Sequence, residues 1–142
     1  MIESLLAGGQ EILGLSRIEG PLIFVEGVRN VAYGEMADIL ASDGRLLRGR
    51  VLEVGEEMAI IQVFEGTSGL SIPGTRVRFL GRPLRIPVAA EMLGRVFNGL
   101  GEPLDGQPAP LAERWADVNG APINPTSREY PRQYIETGIS AI

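Results

Sequence analysis

Short apolar runs separated by Gly, Pro and Asp turn signals dominate the first 90 residues of the chain. Val, Ile and Phe are frequent in these runs, and these residue types favour strands over helices. The spacing of about 8–12 residues predicts about six strands, the pattern of a small sandwich or barrel. The apolar runs lie at residues 12–18, 21–27, 32–40, 45–54, 58–65, 75–81 and 83–89.

Residues 58–65 form the clearest of these strands, with apolar side chains at most positions of both faces. Such a strand is central in a sheet or wrapped in a small barrel. Turn signals at Asp43-Gly44 and Gly55-Glu56 make residues 32–65 a three-stranded meander. Closure removes exposed strand edges, so we predict an all-β fold built on a small six-stranded, Greek-key-like β-barrel. The barrel is expected over residues 10–88, after an N-terminal arm at residues 1–9.

The composition and the apolar pattern of the sequence change after residue 89. "AAEMLGRVFN" predicts one helical turn and an extended piece, and residues 98–134 are crowded with Gly, Pro, Asn and Arg. An irregular run of this length is unusual inside one compact domain and is typical of a linker or a segment laid on another domain. Ile135, Ile139 and Ile142 then recur at helical spacing, with Thr137 as a possible N-cap. We therefore expect residues 89–142 to be a connection followed by the start of a second domain, cut inside a larger protein.

Composition excludes several kinds of chemistry. The 142 residues contain no cysteine and no histidine, which removes disulfides, thiolate or histidine catalysis, and His/Cys metal sites. All 13 basic residues are arginine, so no lysine can contact a phosphate or form a Schiff base. The net charge of −5 argues against a general attraction to nucleic acid or anionic membranes. We find no signal peptide or membrane-length apolar run and expect a cytoplasmic protein.

The glycine-rich stretch "GRVFNGLGEPLDG", residues 94–106, is the first candidate for a phosphate loop. The third glycine is misplaced for a dinucleotide fingerprint, and no Lys-Ser/Thr pair follows Gly106 as a P-loop requires. Pro103 removes an amide donor, while Glu102 and Asp105 would repel a phosphate. The stretch is better interpreted as two tight turns, at Asn98-Gly99 and Leu104-Asp105-Gly106, flanking an extended bend.

Arginines on the predicted strands are the second candidate, because an arginine-bearing barrel could bind oligonucleotides. Such modules also need aromatic stacking platforms, and the nearby Phe64 and Phe79 are both plausible core residues. A solvated or subunit-facing surface is the favoured interpretation. The arginines concerned are Arg45, Arg48, Arg50, Arg76, Arg78, Arg82 and Arg85.

Carboxylates are the third candidate. Glu56 and Glu57 fall in a turn and Glu65 ends a strand, where nothing indicates burial or a raised pKa. We therefore expect this segment to contain no catalytic residue, no cofactor-binding residue and no metal ligand.

Four segments together resemble one family. They are "EGPLIFVEGVRNVAYGEMADI", "RGRVLEVGEEMAIIQVFEGTSGL", "IPVAAEMLGRVFNGLGEPLDG" and "INPTSREYPRQYIETGISAI". In combination they resemble the N-terminal part of the B subunit of V/A-type rotary ATPases, from Ser16 to Ile142. The "MLGRVFNG-x-G-x-P-x-D-G" element by itself marks the wider rotary and export ATPase group.

The resemblance implies a six-stranded β-barrel over residues 10–88, followed by the first part of a P-loop-like α/β nucleotide domain. It also implies a regulatory, non-catalytic subunit that alternates with a catalytic A subunit, three of each, in a ring whose barrels form a crown. The arginine that such B subunits contribute to catalysis comes from far downstream, so no arginine of this chain inherits that role.

Partners and cofactors follow from the same resemblance. It implies the catalytic A subunit and other soluble subunits as partners, an indirect link to the membrane sector, and no nucleic acid. The segment itself would bind no cofactor, whereas the parent complex would use ATP/ADP with Mg to couple ATP synthesis or hydrolysis to ion transport. Three alternatives stay open: a fragment of a flagellar or secretion export ATPase, an F-type subunit, and a nucleic-acid-binding barrel.

Overall fold

The computed structural model describes residues 9–120, 124–134 and 138, and the described part of the chain is all-β. It contains two single-turn 3₁₀ segments, at Ala90–Met92 and Pro125–Ser127, and no α-helix. The strands are β1 (Glu11–Leu13), β2 (Arg17–Glu19), β3 (Leu22–Glu26), β4 (Glu35–Leu40), β5 (Leu46–Val54), β6 (Met58–Val63), β7 (Arg76–Pro83), β8 (Arg85–Val88) and β9 (Arg114–Asp117).

The first seven strands form one antiparallel sheet in the order β1-β7-β4-β5-β6-β3-β2. Strands β4, β5 and β6 are consecutive neighbours, which confirms the predicted meander. Strand β7 returns to lie beside β4, so β4 to β7 have the spatial order 4-1-2-3 of a Greek key. The predicted Greek-key-like topology is therefore present.

The sheet is curled into an incompletely closed barrel. Its two edge strands, β1 and β2, are separated only by Gly14, Leu15 and Ser16, so their near ends lie at most about 15 Å apart. A flat sheet of this many strands would hold its edges about 29 Å apart. The Gly14 amide donates to the Thr75 carbonyl and the Ser16 amide to the Phe24 carbonyl, so the connection spans the two sides of the barrel. The predicted strand 12–18 is therefore two short strands, and six stretches of sequence build the sheet.

The core lies inside the curl, filled by alternate residues of each strand. On β6, for example, Ala59, Ile61 and Val63 are buried, while Gln62 between them is exposed. Burial of this alternating set explains why the register is specified, because a one-residue slip would expose it. The other strand residues of the core cluster are Ile23, Val25, Ala37, Ile39, Leu47, Val51, Val77 and Phe79.

A second, two-stranded sheet pairs β8 with β9, with Ile86 opposite Ala116 and Pro87 opposite Trp115. This corrects two expectations. The strand predicted over 83–89 exists, as β8, but it lies outside the barrel sheet. Residues 98–134 also contain strand β9, which pattern reasoning missed because Arg114 and Asp117 make the run look polar. Its partner is close in space and distant in sequence, so local pattern carries no signal for the pairing.

The helical turn predicted after residue 89 is present at Ala90–Met92. The predicted arm at residues 1–9 lies outside the described residues except for Gly9, and Ile135, Thr137, Ile139 and Ile142 lie outside them as well. Across the ranges that the structure describes, no helix has the length and hydropathy to span a membrane.

Candidate functional site

The glycine-rich stretch folds as a narrow hairpin-like turn. The Leu104 amide donates to the Val96 carbonyl at 2.9 Å, and the Asn98 amide donates to the Glu102 carbonyl at 2.9 Å. At the tip, the Gly101 amide donates to the Asn98 carbonyl at 3.0 Å. The tight turn predicted at Asn98-Gly99 is therefore present.

The Asn98 side chain already accepts hydrogen bonds from the amides that a phosphate would need. Its side-chain Oδ1 accepts from the backbone amides of Leu100 and Glu102, both at 2.9 Å, and its Nδ2 donates to the Glu102 carboxylate at 2.8 Å. A phosphate loop works because successive amides point at the ligand with no other acceptor. Here the amides of three successive residues, Leu100 to Glu102, already have acceptors inside the turn.

An arginine–aspartate pair closes the base of the turn. Arg95 donates from Nε to Asp105 Oδ2 and from Nη2 to Asp105 Oδ1, both at 2.9 Å, the bidentate geometry of the strongest ion pairs. These hydrogen bonds hold the pKa of Asp105 far below its ordinary value of 3.8 and raise the pKa of Arg95 above its ordinary value. Both side chains are largely covered, so the pair is a structural clasp that faces little solvent.

The turn is docked between the barrel and the second sheet. Glu102 forms an ion pair of 3.0 Å with Arg48 on β5, at the outer face of the barrel. Gly101 has a φ of +78°, and a Cβ built on it would lie 3.2 Å from Ile86 Cγ2 and 3.3 Å from Pro87 Cδ on β8. Glycine is therefore required there both for conformation and for close packing.

Several arginines of the barrel are ion-paired. Arg45 contacts Asp43 at 2.7 Å and Arg76 contacts Glu11 at 3.5 Å, in addition to the pair that Arg48 forms. Directly opposed residues on β1, β7, β4 and β5 form an outer-face row of alternating charge. The row runs Glu11, Arg78, Asp38, Arg48. Because each positive charge has a negative neighbour, the face is not a continuous basic stripe for nucleic acid.

The two phenylalanines considered from the sequence, Phe64 and Phe79, do not form a stacking platform. Phe79 is 1% exposed and belongs to the core, as expected. Phe64 is 40% exposed, so its assignment to the core was wrong; it lies just past the end of β6, where its amide pairs with the Arg48 carbonyl. A single exposed phenylalanine does not supply the successive stacking surfaces that single strands require.

The predicted carboxylate candidates stay at the surface. Glu56 and Glu57 are exposed in the β5–β6 turn, and the exposed Glu65 accepts from the Arg48 amide at 3.0 Å. Among the residues that the structure describes, the buried carboxylate is Glu35, which sequence reasoning missed. It shares the inward parity of Ala37 and Ile39 on β4, and that parity was the available signal.

Three exposed leucines lie on the outer face at one end of the barrel, each on a different strand. Leu13, Leu40 and Leu46 lie on β1, β4 and β5, with Arg76 of β7 between Leu13 and Leu40 in register. The three leucines are 63%, 42% and 59% exposed. We call these three residues the leucine row. Exposed apolar side chains that cluster on one face are typical of a protein–protein contact.

Within the described ranges, no group of three or more Asp or Glu side chains is arranged to hold a metal ion. The described geometry consists of internally hydrogen-bonded turns, the Arg95–Asp105 clasp and the outer face of the barrel sheet, which are features of a domain that packs against others.

Comparison with known proteins agrees with this architecture. Residues 15–81 match the model of the β-barrel domain of the ATP synthase alpha/beta family. This range runs from the β1–β2 connection into β7 and ends before β8. The all-β fold, with a curled barrel sheet, is therefore the one expected for this family.

Three similar relatives are A-type ATP synthase B subunits. The chain is 56% identical over 135 residues to that of Aeropyrum pernix and 49% identical over 135 residues to that of Nitrosopumilus maritimus, covering 95% of this chain and 29% of each relative. It is 49% identical over 142 residues to that of Methanopyrus kandleri, covering 100% of this chain and 14% of the relative. The chain thus spans less than a third of the length of these relatives.

Proposed function

We propose a structural and regulatory role for this chain. Through its barrel it belongs to the ATP synthase alpha/beta family. It corresponds to the N-terminal part of an A-type B subunit. The observation that carries the proposal is identity of 56% over 95% of the chain to such a subunit. In this role the segment does not hydrolyse ATP. It belongs to a complex that couples ATP synthesis or hydrolysis to ion transport, lies peripheral to the membrane through that complex, and leaves ATP/ADP with Mg to other parts of it.

The proposed partner is a catalytic A-type subunit, in a ring where three A and three B subunits alternate and their barrels form a crown. Two features support a packing role. The amides of the glycine-rich turn are used internally, which suits a structural element better than a phosphate site. The leucine row is exposed on three strands, and burying it against a neighbouring subunit would remove apolar surface from water.

Co-expression with an A-type catalytic subunit tests the proposal. We expect the two chains to co-elute on gel filtration, and we expect Leu46→Glu to weaken the complex because it places a charge in the leucine row. Val54→Glu is the matched control, since Val54 is exposed at the opposite end of the same strand, β5. No association with any A-type subunit, or ATP turnover by the isolated chain, would overturn the proposal.

Two further outcomes distinguish the alternatives. An export-ATPase fragment belongs to a chain that forms a homohexamer when completed, whereas a B subunit needs the A subunit to close an alternating ring. A nucleic-acid-binding barrel would bind single-stranded DNA at low salt and lose it steeply as salt rises. The paired arginines and the buried Phe79 favour no binding in that titration.

A further inference from the structure

A cleft of about 530 Å³ lies where one end of the barrel meets the end of β9. Its barrel side is formed by the loop that leads into β4, by Arg50 of β5 and by the last residues of β7. Asp117 and Asn119 line its other side. Neither the family match nor the proposed packing role assigns a purpose to it.

Arg50, which lines the cleft, has a hydrogen-bond donor that no described residue uses. Its Nε is buried, and no acceptor among the described residues lies within hydrogen-bonding distance of it. Its guanidinium carbon lies 5.8 Å from the ring centroid of Tyr33, which is 71% exposed. A buried guanidinium nitrogen with an unused donor is costly without an acceptor, so a ligand that accepts from Nε would stabilise this arrangement.

A second guanidinium lines the same cleft. Arg82 is exposed on β7 and has no carboxylate within 4.0 Å among the residues that the structure describes. Four arginines of the barrel, Arg17, Arg45, Arg48 and Arg76, form ion pairs, whereas neither Arg50 nor Arg82 forms one with a described carboxylate.

The two carboxylates that line the cleft are already engaged. Glu35 accepts from the amides of Gly81 and Ala32, and Asp117 accepts from the amide and the side chain of Asn119. Backbone amides reach both oxygens of Glu35, and Asn119 reaches Oδ1 of Asp117, so both carboxylates have hydrogen-bond donors other than the two guanidinium groups.

We propose that this cleft binds a carboxylate, with Arg50 and Arg82 as its cationic ligands and Tyr33 as its aromatic wall. A planar carboxylate matches the fork of a guanidinium. A monoanion also fits the charge of the site better than a phosphate dianion, because Glu35 and Asp117 stand nearby. The carboxylate belongs either to a small molecule or to an Asp or Glu side chain of another protein.

Titration of the ¹⁵N-labelled 142-residue chain, followed by amide and Arg Nε resonances, tests the site. One arm adds sodium acetate, with sodium chloride at matched ionic strength as reference. The second adds a blocked pentapeptide with one central Asp, with its Asn counterpart as reference. We expect saturable shifts confined to the resonances of Tyr33, Gly34, Arg50 and Asn119. The arm with the tighter saturation identifies the source of the carboxylate.

Variants give the assignment its specificity. Arg82→Gln should weaken carboxylate binding about fivefold or more because it removes one cationic ligand. Arg50→Lys should weaken it similarly, since lysine keeps the charge and loses the fork. Arg85→Gln is the matched control: Arg85 is also exposed, but it does not line this cleft, so binding should be unchanged.

Non-saturating shifts, equal shifts with chloride, or unchanged affinity in Arg82→Gln would overturn the proposal. If Arg50→Lys loses its amide dispersion, Arg82→Gln decides alone, because its exposed side chain makes little contribution to folding. The inference does not depend on the proposed subunit role. Failure to associate with an A-type subunit would leave it standing, and failure to bind a carboxylate would leave the subunit role standing.

Discussion

Arg95 and Asp105 face each other across ten residues and form two parallel hydrogen bonds of 2.9 Å that close the base of the glycine-rich turn. Asp105 Oδ1 also accepts from the Gln107 amide at 3.1 Å, so one carboxylate fixes both the turn and the chain that leaves it. The Arg95 guanidinium carbon lies 5.3 Å from the ring centroid of Phe97, which holds the arginine from a third side. The clasp thus fixes the conformation of the glycine-rich stretch.

The first prediction concerns the titration of this clasp. The Arg95 guanidinium is the main cause of the lowered pKa of Asp105, so the ¹³C-carboxyl resonance should titrate below the ordinary value of 3.8. Since the folded pKa is depressed, the clasp contributes fully above the unfolded value and is lost as the pH falls through the folded pKa. Opening of the turn should therefore begin below about pH 4 and not near neutrality.

Arg95→Gln is the variant that tests the cause, because it removes the charge and the bidentate bond. We expect the Asp105 midpoint to rise toward 3.8 in this variant and to stay low in Arg85→Gln, whose side chain is not part of the clasp. An unchanged midpoint in Arg95→Gln would contradict the assignment of the pKa shift to this pair.

The second prediction concerns Glu35, which is 6% exposed. Its Oε2 accepts from the Ala32 amide at 3.0 Å and its Oε1 from the Gly81 amide at 2.5 Å, tying the loop before β4 to β7. Glu35→Ala leaves the Ala32 and Gly81 amides without their acceptor and should lower the free energy of unfolding by about 1–3 kcal/mol. Glu35→Gln keeps one acceptor oxygen and should lower the free energy of unfolding by less. Urea denaturation measures both.

Glu26→Ala is the control for this series. Glu26 ends β3 with an exposed side chain, so its removal should change the free energy of unfolding by no more than about 0.5 kcal/mol. Equal losses at positions 26 and 35 would show that the two backbone hydrogen bonds of Glu35 contribute nothing specific.

The barrel strands were predictable because each has a buried face that imposes a period of two on the sequence. Strand β7 shows this period, with buried Val77 and Phe79 alternating with Arg76 and Arg78. The turns at Asp43-Gly44 and Gly55-Glu56 set the order of β4, β5 and β6. Strand β9 lacked such a signal, since Trp115 is largely exposed and the strand gains its identity from pairing with β8. Non-local pairing of this kind cannot be derived from local pattern.

The candidate sites likewise divide into those that the local sequence predicts and those that depend on the fold. The absence of a phosphate motif at residues 94–106 could be derived from spacing alone, because the motif requires fixed positions. Glu35 carried one local signal, its inward parity on β4. The partners of its carboxylate, and the lining of one cleft by Arg50 and Arg82, depend on which strands become neighbours and how the chain leaves the barrel. A β-bulge between Glu35 and Ala37 helps to place the carboxylate, and bulge positions are not readable from composition.

The third prediction tests packing inside the curl at Gly49. A Cβ built there would lie 2.6 Å from Ile61 Cγ2 and 2.7 Å from the Gln62 carbonyl oxygen, and backbone cannot easily give way. Gly49→Ala should therefore lower the free energy of unfolding by about 1–3 kcal/mol. Gly99→Ala is the matched control, because a Cβ there meets nothing within 4 Å; it should change the value by less than about 0.5 kcal/mol. A neutral Gly49→Ala would mean that β5 and β6 are not in this register.

The fourth prediction tests the internal use of amides by Asn98. Asn98→Ala removes the acceptor of the Leu100 and Glu102 amides, and their hydrogen exchange should accelerate roughly 3- to 10-fold. Asn119→Ala, in the turn after β9, should leave both rates unchanged. Inorganic phosphate added to the unaltered chain should not slow these two amides, because their hydrogens already point at Asn98 Oδ1. Slowing by phosphate in the unaltered chain would instead mean that the turn opens to receive an anion, and the structural interpretation of residues 94–106 would fail.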